Sequence, residues 1–271
     1  MSEVTVITNS VETVNLVQAK SEAVQAYMMH HMMDSHRWTW LPRVHQELPW
    51  HLTVNGAMVI LAVLVLIGLL AMACRNMPAI PQGFLNAVEF FVQYIRDEMV
   101  IPFLGEQDGR KMAPLFCSFF FFILTMNLLS LVPCFYTATA NLSVTASLAL
   151  VTMGFMTIGA IYKNGLWGFL KGFVPSGLPM PLLFLIVPIE VVSMFIRVMA
   201  LAIRLFANML AGHLVLFSLL GLIVMFGYWA LPAFGVALAI YLLEVFVAFL
   251  QAYIFTLLSA VFIGERYHPA H

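Results

Sequence analysis

The chain contains very little charge. Of its 271 residues, only 9% are Asp, Glu, Lys or Arg, whereas 62% are apolar, and the mean hydropathy is +0.97. An ordinary soluble domain has about 25% charged residues. The composition therefore excludes a soluble globular protein and indicates a polytopic membrane protein. The formal net charge of -1 also gives no basic surface for nucleic acid.

Reactive cysteines and catalytic motifs are also scarce. Cys74, Cys117 and Cys134 have no CxxC spacing and lie in or beside apolar runs, so we interpret them as inert buried thiols. The sequence has no HExxH, no GxSxG and no paired aspartates, which argues against an intramembrane enzyme. We expect a non-catalytic protein without a cofactor or metal. The first residues lack a basic region followed by an apolar core, so no ordinary signal peptide is predicted.

Residues 1–50 form a polar tail. On a helix, His30, His31 and Asp34 would share one face, which is compatible with a metal site. Trp38 and its neighbours are instead typical of a tail that lies against the membrane surface. We favour the second interpretation and keep the first as an alternative.

Five apolar runs are long enough to cross a hydrocarbon core of about 30 Å. Together they predict a single integral membrane domain, residues 51–264, which is followed by a short tail, residues 265–271. The runs are about Thr53–Cys74, Ala113–Pro133, Leu142–Tyr162, Leu182–Phe226 and Leu231–Gly264.

Residues 82–99 follow a different pattern, in which apolar residues recur at steps of three and four and polar residues take the opposite face. This pattern predicts an amphipathic helix that lies in the membrane interface and does not cross it. The expected fold class is therefore an all-α polytopic membrane protein with five membrane crossings and one interfacial helix.

The last two runs are too long for upright spans. Between Pro188 and Phe226 the sequence has no further proline and no polar loop. As one helix this stretch would be about 58 Å long, roughly twice the hydrocarbon thickness. We therefore predict two long, tilted helices that form an antiparallel hairpin around the connection Gly227–Pro232.

Basic residues set the predicted orientation, because they are enriched on the cytoplasmic side. With five crossings, the loops between spans place most of them on one side. The N-terminus is then outside and the C-terminus cytoplasmic. The residues on the inner side are Arg75, Arg96, Arg110, Lys111, Lys163, Lys171 and Arg266.

Arg204 lies in a run of about forty residues with almost no other charge. A guanidinium at the centre of a membrane helix costs at least about 2.5–3.5 kcal/mol and cannot lose its proton. An arginine near a helix end can extend to the headgroups, but here apolar sequence continues for some twenty residues beyond it. We therefore interpret Arg204 as a functional residue that needs a carboxylate, water or a transported ion.

Other polar residues accompany Arg204 on the last two helices. Several are seven positions apart, which places them on one helix face. On the penultimate helix they are Glu190, Ser193, Arg197, Asn208 and His213, and on the last helix they are Glu244 and Gln251.

The two sets fit one hairpin register. In an antiparallel hairpin, residues at equal height have position numbers with a constant sum. That sum is 455 for Arg204 with Gln251 and 457 for His213 with Glu244, and half of each is about 228, the centre of the predicted connection. We therefore predict a polar seam in which His213 and Glu244 face each other near the outer end.

Titratable groups on both sides of Arg204 can pass protons along the seam. The arginine interrupts this relay because it cannot release a proton. Conduction then needs a mobile carrier, which predicts a partner subunit with a membrane-buried carboxylate.

The stretch Ala200-Leu-Ala-Ile-Arg-Leu-Phe-Ala-Asn-Met209 resembles the signature of subunit a of F-type ATP synthases. The resemblance runs from about His51 to Gly264 and includes Met126-Asn-Leu and Gln251-Ala-Tyr-Ile-Phe. It implies a membrane stator that provides two offset proton half-channels to a rotating c-ring and couples proton translocation to ATP synthesis. It also implies the c-ring, subunit b of the peripheral stalk and membrane lipids as partners, in a bacterial plasma membrane.

The resemblance assigns roles to several residues. Arg204 matches the essential arginine of the family, whereas Asn208, Gln251 and Glu190 match polar positions of the half-channels. His213 and Glu244 match a coupled acid–histidine pair, whose members are exchanged in other proteins of the family. The chain departs from the family at two places. Asn141 and Ser143 stand where many bacterial members have Asp and Asn, and Arg197 stands where a lysine is common.

A self-contained ion-coupled secondary transporter with a midplane ion site is the alternative. We disfavour it because the two halves show no internal repeat and no helix is visibly broken at mid-depth. Co-purification with a small, hydrophobic, ring-forming protein would distinguish the two functions.

Overall fold

The computed structural model describes residues 18–23, 37–38, 46–47, 53–75, 83–132, 135–174, 180–226 and 231–268. In the N-terminal tail it describes a short helical segment, residues 18–23, and two strands, β1 (Arg37–Trp38) and β2 (Gln46–Glu47), that pair antiparallel. The histidine-rich segment around His30 and His31 lies outside the described residues.

The described part of the membrane domain is helical throughout. Two π-helical segments, Ile95–Val100 and Phe155–Gly159, and one 3₁₀ turn, Ala138–Ala140, connect or interrupt the α-helices. The helices are α1 (Val54–Arg75), α2 (Phe84–Tyr94), α3 (Ile101–Leu131), α4 (Leu142–Gly154), α5 (Ala160–Lys171), α6 (Met180–Phe226) and α7 (Leu231–Tyr267).

Five helical stretches in the described part of the chain are long and apolar enough to cross a membrane, which confirms the predicted fold class. They are Val54–Met72, Leu85–Leu131, Leu142–Lys171, Leu182–Ile223 and Pro232–Tyr267.

The second stretch is bent at Gly105, whose φ of 77° and ψ of 166° lie outside the helical region. Glycine adopts a positive φ without the steric cost that a side chain would add. The bend separates the predicted amphipathic helix, which extends to Leu104, from the second span. This span begins well before the predicted Ala113, and an ion pair between Glu106 and Arg110 at 2.9 Å stabilises its first turn.

The third stretch is longer than its predicted end near Tyr162. It continues through the π segment Phe155–Gly159 into α5, and Lys171 therefore ends a helix and does not lie in the following loop. Gly165, with a φ of 71°, bends α5 in the same way as Gly105 bends α3. Two helical segments therefore meet at a kink at Gly165.

The last two stretches are single helices of 47 and 37 residues. At 1.5 Å per residue, α6 is about 70 Å long. The helices pack antiparallel, because Glu190 binds Arg266 near one end and Gly212 lies against Glu244 nearer the other. In both contacts the two position numbers add to 456, which agrees with the sums of 455 and 457 in the predicted register.

The principal core lies where α3 packs against α7. Phe116 and Ile123 of α3 and Phe255 of α7 are fully buried there. Small residues such as Ala252 allow the two helices to approach closely, as is usual where membrane helices associate by packing rather than by exclusion of water. The helices also approach closely at Gly264, where an added Cβ would lie 2.6 Å from the backbone oxygen of Phe103.

Candidate functional site

The imidazole of His213 is buried between α6 and α3. Its Nδ1 lies 3.0 Å from the carbonyl oxygen of Met209, one turn earlier on α6, and its Nε2 lies 3.0 Å from the carbonyl oxygen of Ser130 on α3. Carbonyl oxygens only accept hydrogen bonds, whereas a neutral imidazole has a single N–H to donate. The ring therefore makes both hydrogen bonds only when it holds a second proton.

Glu244 of α7 is buried beside the same region, with 8% of its surface exposed. Neither carboxylate oxygen has a hydrogen-bond partner among the described residues. The side chain packs directly on Gly212, where any Cβ would overlap it. Glycine at this position therefore leaves the space that the carboxylate occupies.

His213 and Glu244 both line two adjoining cavities of about 230 and 280 Å³. Asn208 lines the second cavity with them. An unpaired buried carboxylate is costly, and cavities of this size can hold several water molecules. The structure thus brings together three of the predicted residues around two cavities with mostly apolar linings, although no direct hydrogen bond joins His213 to Glu244 in the described residues.

Gln251 is buried one to two turns further along α7 and has an amide nitrogen without a hydrogen-bond partner in the described part of the chain. Asn127 of α3 is also buried; its amide nitrogen lies 3.5 Å from the carbonyl oxygen of Ala248, and its amide oxygen is unpaired. Ser130 donates to the carbonyl oxygen of Asn127 at 2.7 Å. Helix α3 therefore adds polar groups to the seam that the analysis of α6 and α7 alone did not include.

Arg204 lies on the exposed surface of α6 and makes no hydrogen bond or ion pair with any described residue. Its neighbours on that surface are apolar, including Ile203, which is 48% exposed. Farther along α7, level with residues 210–213 of α6, Leu243 and Phe246 are 57% and 63% exposed. Gln251 lies at the height predicted for it but is buried, so the structure does not bring it into hydrogen-bonding contact with Arg204.

The end of the seam nearest the C-terminus is held by ion pairs that the sequence analysis did not predict. Arg266 donates to the Glu190 carboxylate at 2.8 Å and to the carbonyl oxygen of Gly172 at 3.3 Å, and its guanidinium lies 4.3 Å from the centre of the Phe173 ring. Only 7% of the Arg266 side chain is exposed. A planar guanidinium suits this combination of hydrogen bonds and ring contact.

Arg197 forms a second ion pair, with Glu265. Ser193 is half-buried between these two positions and makes no hydrogen bond with the described residues. Arg266 was interpreted only as a cytoplasmic charge and Glu265 as part of the tail. The hairpin register could have found the pair of Glu190 and Arg266, because their position numbers add to 456, which lies between the 455 and 457 of the two predicted pairs.

The departure at Asn141 has a structural explanation. Its side chain accepts a hydrogen bond of 2.9 Å from the backbone nitrogen of Ser143. Asn141 is thus the N-cap of α4, a position that asparagine fills well.

The fold and the site together define a class of protein: a helical membrane protein with ionisable groups at both ends of a long hairpin and an exposed arginine between them. The family described as ATP synthase A chain matches residues 56–264, and the chain belongs to this family.

Curated relatives agree with this assignment. The chain is 39% identical over 271 residues to ATP synthase subunit a of Anaeromyxobacter dehalogenans strain 2CP-C, a match that covers 90% of this chain and 70% of that protein. It is 46% identical over 195 residues to ATP synthase subunit a of Myxococcus xanthus, covering 71% and 64%, respectively. The match to ATP synthase subunit a of Anaeromyxobacter sp. strain Fw109-5 is 42% over 218 residues and covers 79% and 53%. The chain thus spans about half to seven-tenths of the length of these relatives.

Proposed function

We propose that this chain is the membrane stator of a bacterial F-type ATP synthase, which offers two offset proton half-channels to a rotating c-ring and couples proton translocation to ATP synthesis. The observation that carries this proposal is Arg204, which is exposed on an otherwise apolar surface and has no hydrogen-bond or ion-pair partner among the described residues. A permanent cation facing lipid is costly. A partner with a carboxylate at the same depth would remove that cost, and a rotor subunit fits this description.

The outer half-channel runs along His213, Glu244 and Asn208. Water in the two cavities links these groups, and the Glu244 carboxylate, which has free lone pairs, accepts the entering proton and passes it on. Gln251 offers a further polar group on the way to the depth of Arg204. The proton then neutralises the rotor carboxylate, which can enter lipid only in its uncharged form.

The inner half-channel begins on the other side of Arg204. There the returning rotor carboxylate releases its proton, which leaves past Ser193 and Glu190. Arg266 binds the Glu190 carboxylate and holds it toward α7, whereas Arg197 of α6 pairs with Glu265 of α7 beside it. Arg204 attracts the ionised rotor carboxylate and keeps the two half-channels separate, because it exchanges no proton itself. The chain makes and breaks no covalent bond in this cycle; the c-ring, subunit b and surrounding lipid are its partners.

Exchanging His213 and Glu244 tests the outer half-channel. Glu244→Gln and His213→Gln should each slow ATP-driven proton pumping by roughly tenfold, the effect of losing about 1.4 kcal/mol from an interaction with a charged group. The double variant His213→Glu with Glu244→His restores one acid and one base, and we expect it to pump better than the slower single variant. Pumping is measured as acidification of inverted vesicles, normalised to ATP hydrolysis.

Ser218→Ala is the matched control, because Ser218 is an exposed α6 residue that bonds only to Leu214 within its own helix. It should pump normally. If the effects of the two single substitutions simply add in a double-mutant cycle, the pair does not act together, and the outer half-channel would have to be assigned to other residues.

The orientation is also part of the proposal: residues 1–50 outside, residues 51–264 in the membrane and residues 265–271 in the cytoplasm. Single cysteines introduced at Asn9 and Ala270 in a background without other accessible thiols should react with an impermeant maleimide from opposite sides, with Asn9 labelled from outside. If both cysteines are labelled from the same side of the membrane, the chain crosses it an even number of times and not five. That result would contradict the direction assigned to the half-channels.

A further inference from the structure

A separate cavity of about 650 Å³ lies between α3, the π segment Phe155–Gly159 and the end of α7, at the end of the molecule that the proposed orientation places on the cytoplasmic side. None of the seam residues lines it. Its walls are formed by the apolar residues Met112, Val151, Phe155 and Ile158. Its inner end is polar and contains Asp108, Lys111, Tyr162, Lys163 and Tyr267.

The apolar walls open to the surroundings of the protein. Ile158 is 71% exposed, Val151 44% and Phe155 38%. From Val151 to Tyr162 the cavity follows about 16 Å of helix axis, which is close to half of a hydrocarbon core of about 30 Å. The cavity is therefore about one lipid leaflet deep.

The polar end has an excess of positive charge. Lys163 forms an ion pair with Asp108, and the His268 ring lies 3.1 Å from the Lys163 ammonium and 3.8 Å from the Asp108 carboxylate. Lys111 has no ion-pair partner among the described residues and is exposed. One acidic and two basic side chains thus leave one net positive charge, to which a protonated His268 would add.

Aromatic residues mark the level of the headgroups. Tyr162 is 93% exposed next to Lys163, as expected for a tyrosine at the boundary between hydrocarbon and water. Tyr267 lies above Gly159, where an added Cβ would overlap its hydroxyl group, and closes the cavity toward the protein core.

We propose that this cavity is a binding site for one anionic phospholipid of the inner leaflet. The phosphate binds Lys111 and Lys163, and one acyl chain lies along Val151, Phe155 and Ile158. Basic pockets between membrane helices on the cytoplasmic side favour anionic headgroups for the same electrostatic reason. A transmembrane helix of another subunit is a poorer fit, because the groove is one leaflet deep and such a helix needs about 20 residues, or 30 Å, of continuous surface.

Gly154 provides a specific test of the acyl-chain position. It lines the cavity, and a Cβ added there would meet no atom within 4 Å. A leucine at this position should therefore fill the groove without displacing protein atoms. Gly68 of α1 has the same open surroundings elsewhere on the molecule, so Gly68→Leu is its matched control.

The experiment uses the intact ATP synthase complex in vesicles of unlabelled phosphatidylcholine. The vesicles also contain two photoactivatable probe lipids in small and equal amounts. The probes are phosphatidylglycerol and phosphatidylcholine, each with a photoactivatable acyl chain. Mass spectrometry of the peptide that contains residues 151–162 measures labelling by each lipid. We expect phosphatidylglycerol to label it about fivefold more than phosphatidylcholine, the factor that corresponds to about 1 kcal/mol per basic residue near an anionic charge. Lys111→Gln should remove most of this preference, and Gly154→Leu should reduce labelling by both lipids.

Lys171→Gln and Gly68→Leu should leave both results unchanged. Lys111 is exposed and unpaired, so Lys111→Gln keeps the test valid even if the glycine variant assembles poorly. Equal labelling by the two lipids would show only bulk lipid at this surface and overturn the proposal. A photoreactive amino acid in place of Ile158 that cross-links to another subunit, not to lipid, would overturn it in favour of a protein partner. Neither outcome depends on proton pumping, so the proposed function is tested separately.

Discussion

Replacement of Arg204 by alanine is expected to reduce ATP-driven proton pumping to the level of vesicles without the complex. Arg204 makes no hydrogen bond or ion pair with the described residues, so its loss removes no contact that holds α6 in place. The amount of chain in the membrane should therefore stay unchanged on an immunoblot, while fluorescence quenching by a pH-sensitive dye is lost. Passive proton conductance should rise, because the barrier between the half-channels is removed.

Arg204→Lys should restore pumping only in part, since a compact ammonium offers a different geometry and can lose its proton in an apolar environment. Lys171→Ala is the matched control: it removes another exposed basic residue, at the end of α5, and should pump normally. Normal pumping by the alanine variant at Arg204 would contradict the assigned role of this residue.

Replacement of Gly264 by valine should have the largest effect on assembly. An added Cβ at this position would lie 2.6 Å from the backbone oxygen and 3.0 Å from the backbone carbonyl carbon of Phe103. A backbone atom cannot rotate away as a side chain can, so the end of α7 has to separate from the turn before Gly105. Overpacking in well-packed regions costs about 1–3 kcal/mol, and we expect the upper end of that range. The measurement is the thermal midpoint and protease resistance of the purified complex.

Gly235→Val is the control, because Gly235 lies on the same helix and an added Cβ there meets no atom within 4 Å. Both substitutions place the same β-branched residue in α7, so they share its cost in helix propensity. A complex with Gly264→Val that is as stable as the control would show that α7 and the Phe103 turn do not approach as closely as described.

The main features of the fold could be predicted because membrane helices follow directly from hydropathy and length. A charge-free run such as Val54–Met72 has few alternatives in a bilayer. The register of α6 against α7 was also predictable, since it depends only on the position of one connection. The bends at Gly105 and Gly165 were harder, because a glycine in an apolar or polar stretch permits a positive φ but does not require it.

The site could be predicted only where the type of a side chain indicates its role. His213 and Glu244 are recognisable as polar residues in apolar helices, whereas the two hydrogen-bond partners of His213 are backbone carbonyl oxygens, which no residue type reveals. The burial of Arg266 was missed for a related reason. A basic residue near the end of a membrane helix usually faces water, and only the packing of Phe173 and Gly172 around it removes that exposure.

The ion pairs at the end of the hairpin nearest the C-terminus have a mechanical consequence. There the end of α7 is tied to α6 through Glu190, to the segment after α5 through Gly172, and to α3 through His268, which lies 2.9 Å from the carbonyl oxygen of Leu104. The half of the hairpin nearer its connection borders two cavities instead. A sideways force on the surface around Arg204 therefore reaches α3 and the segment after α5 through these contacts.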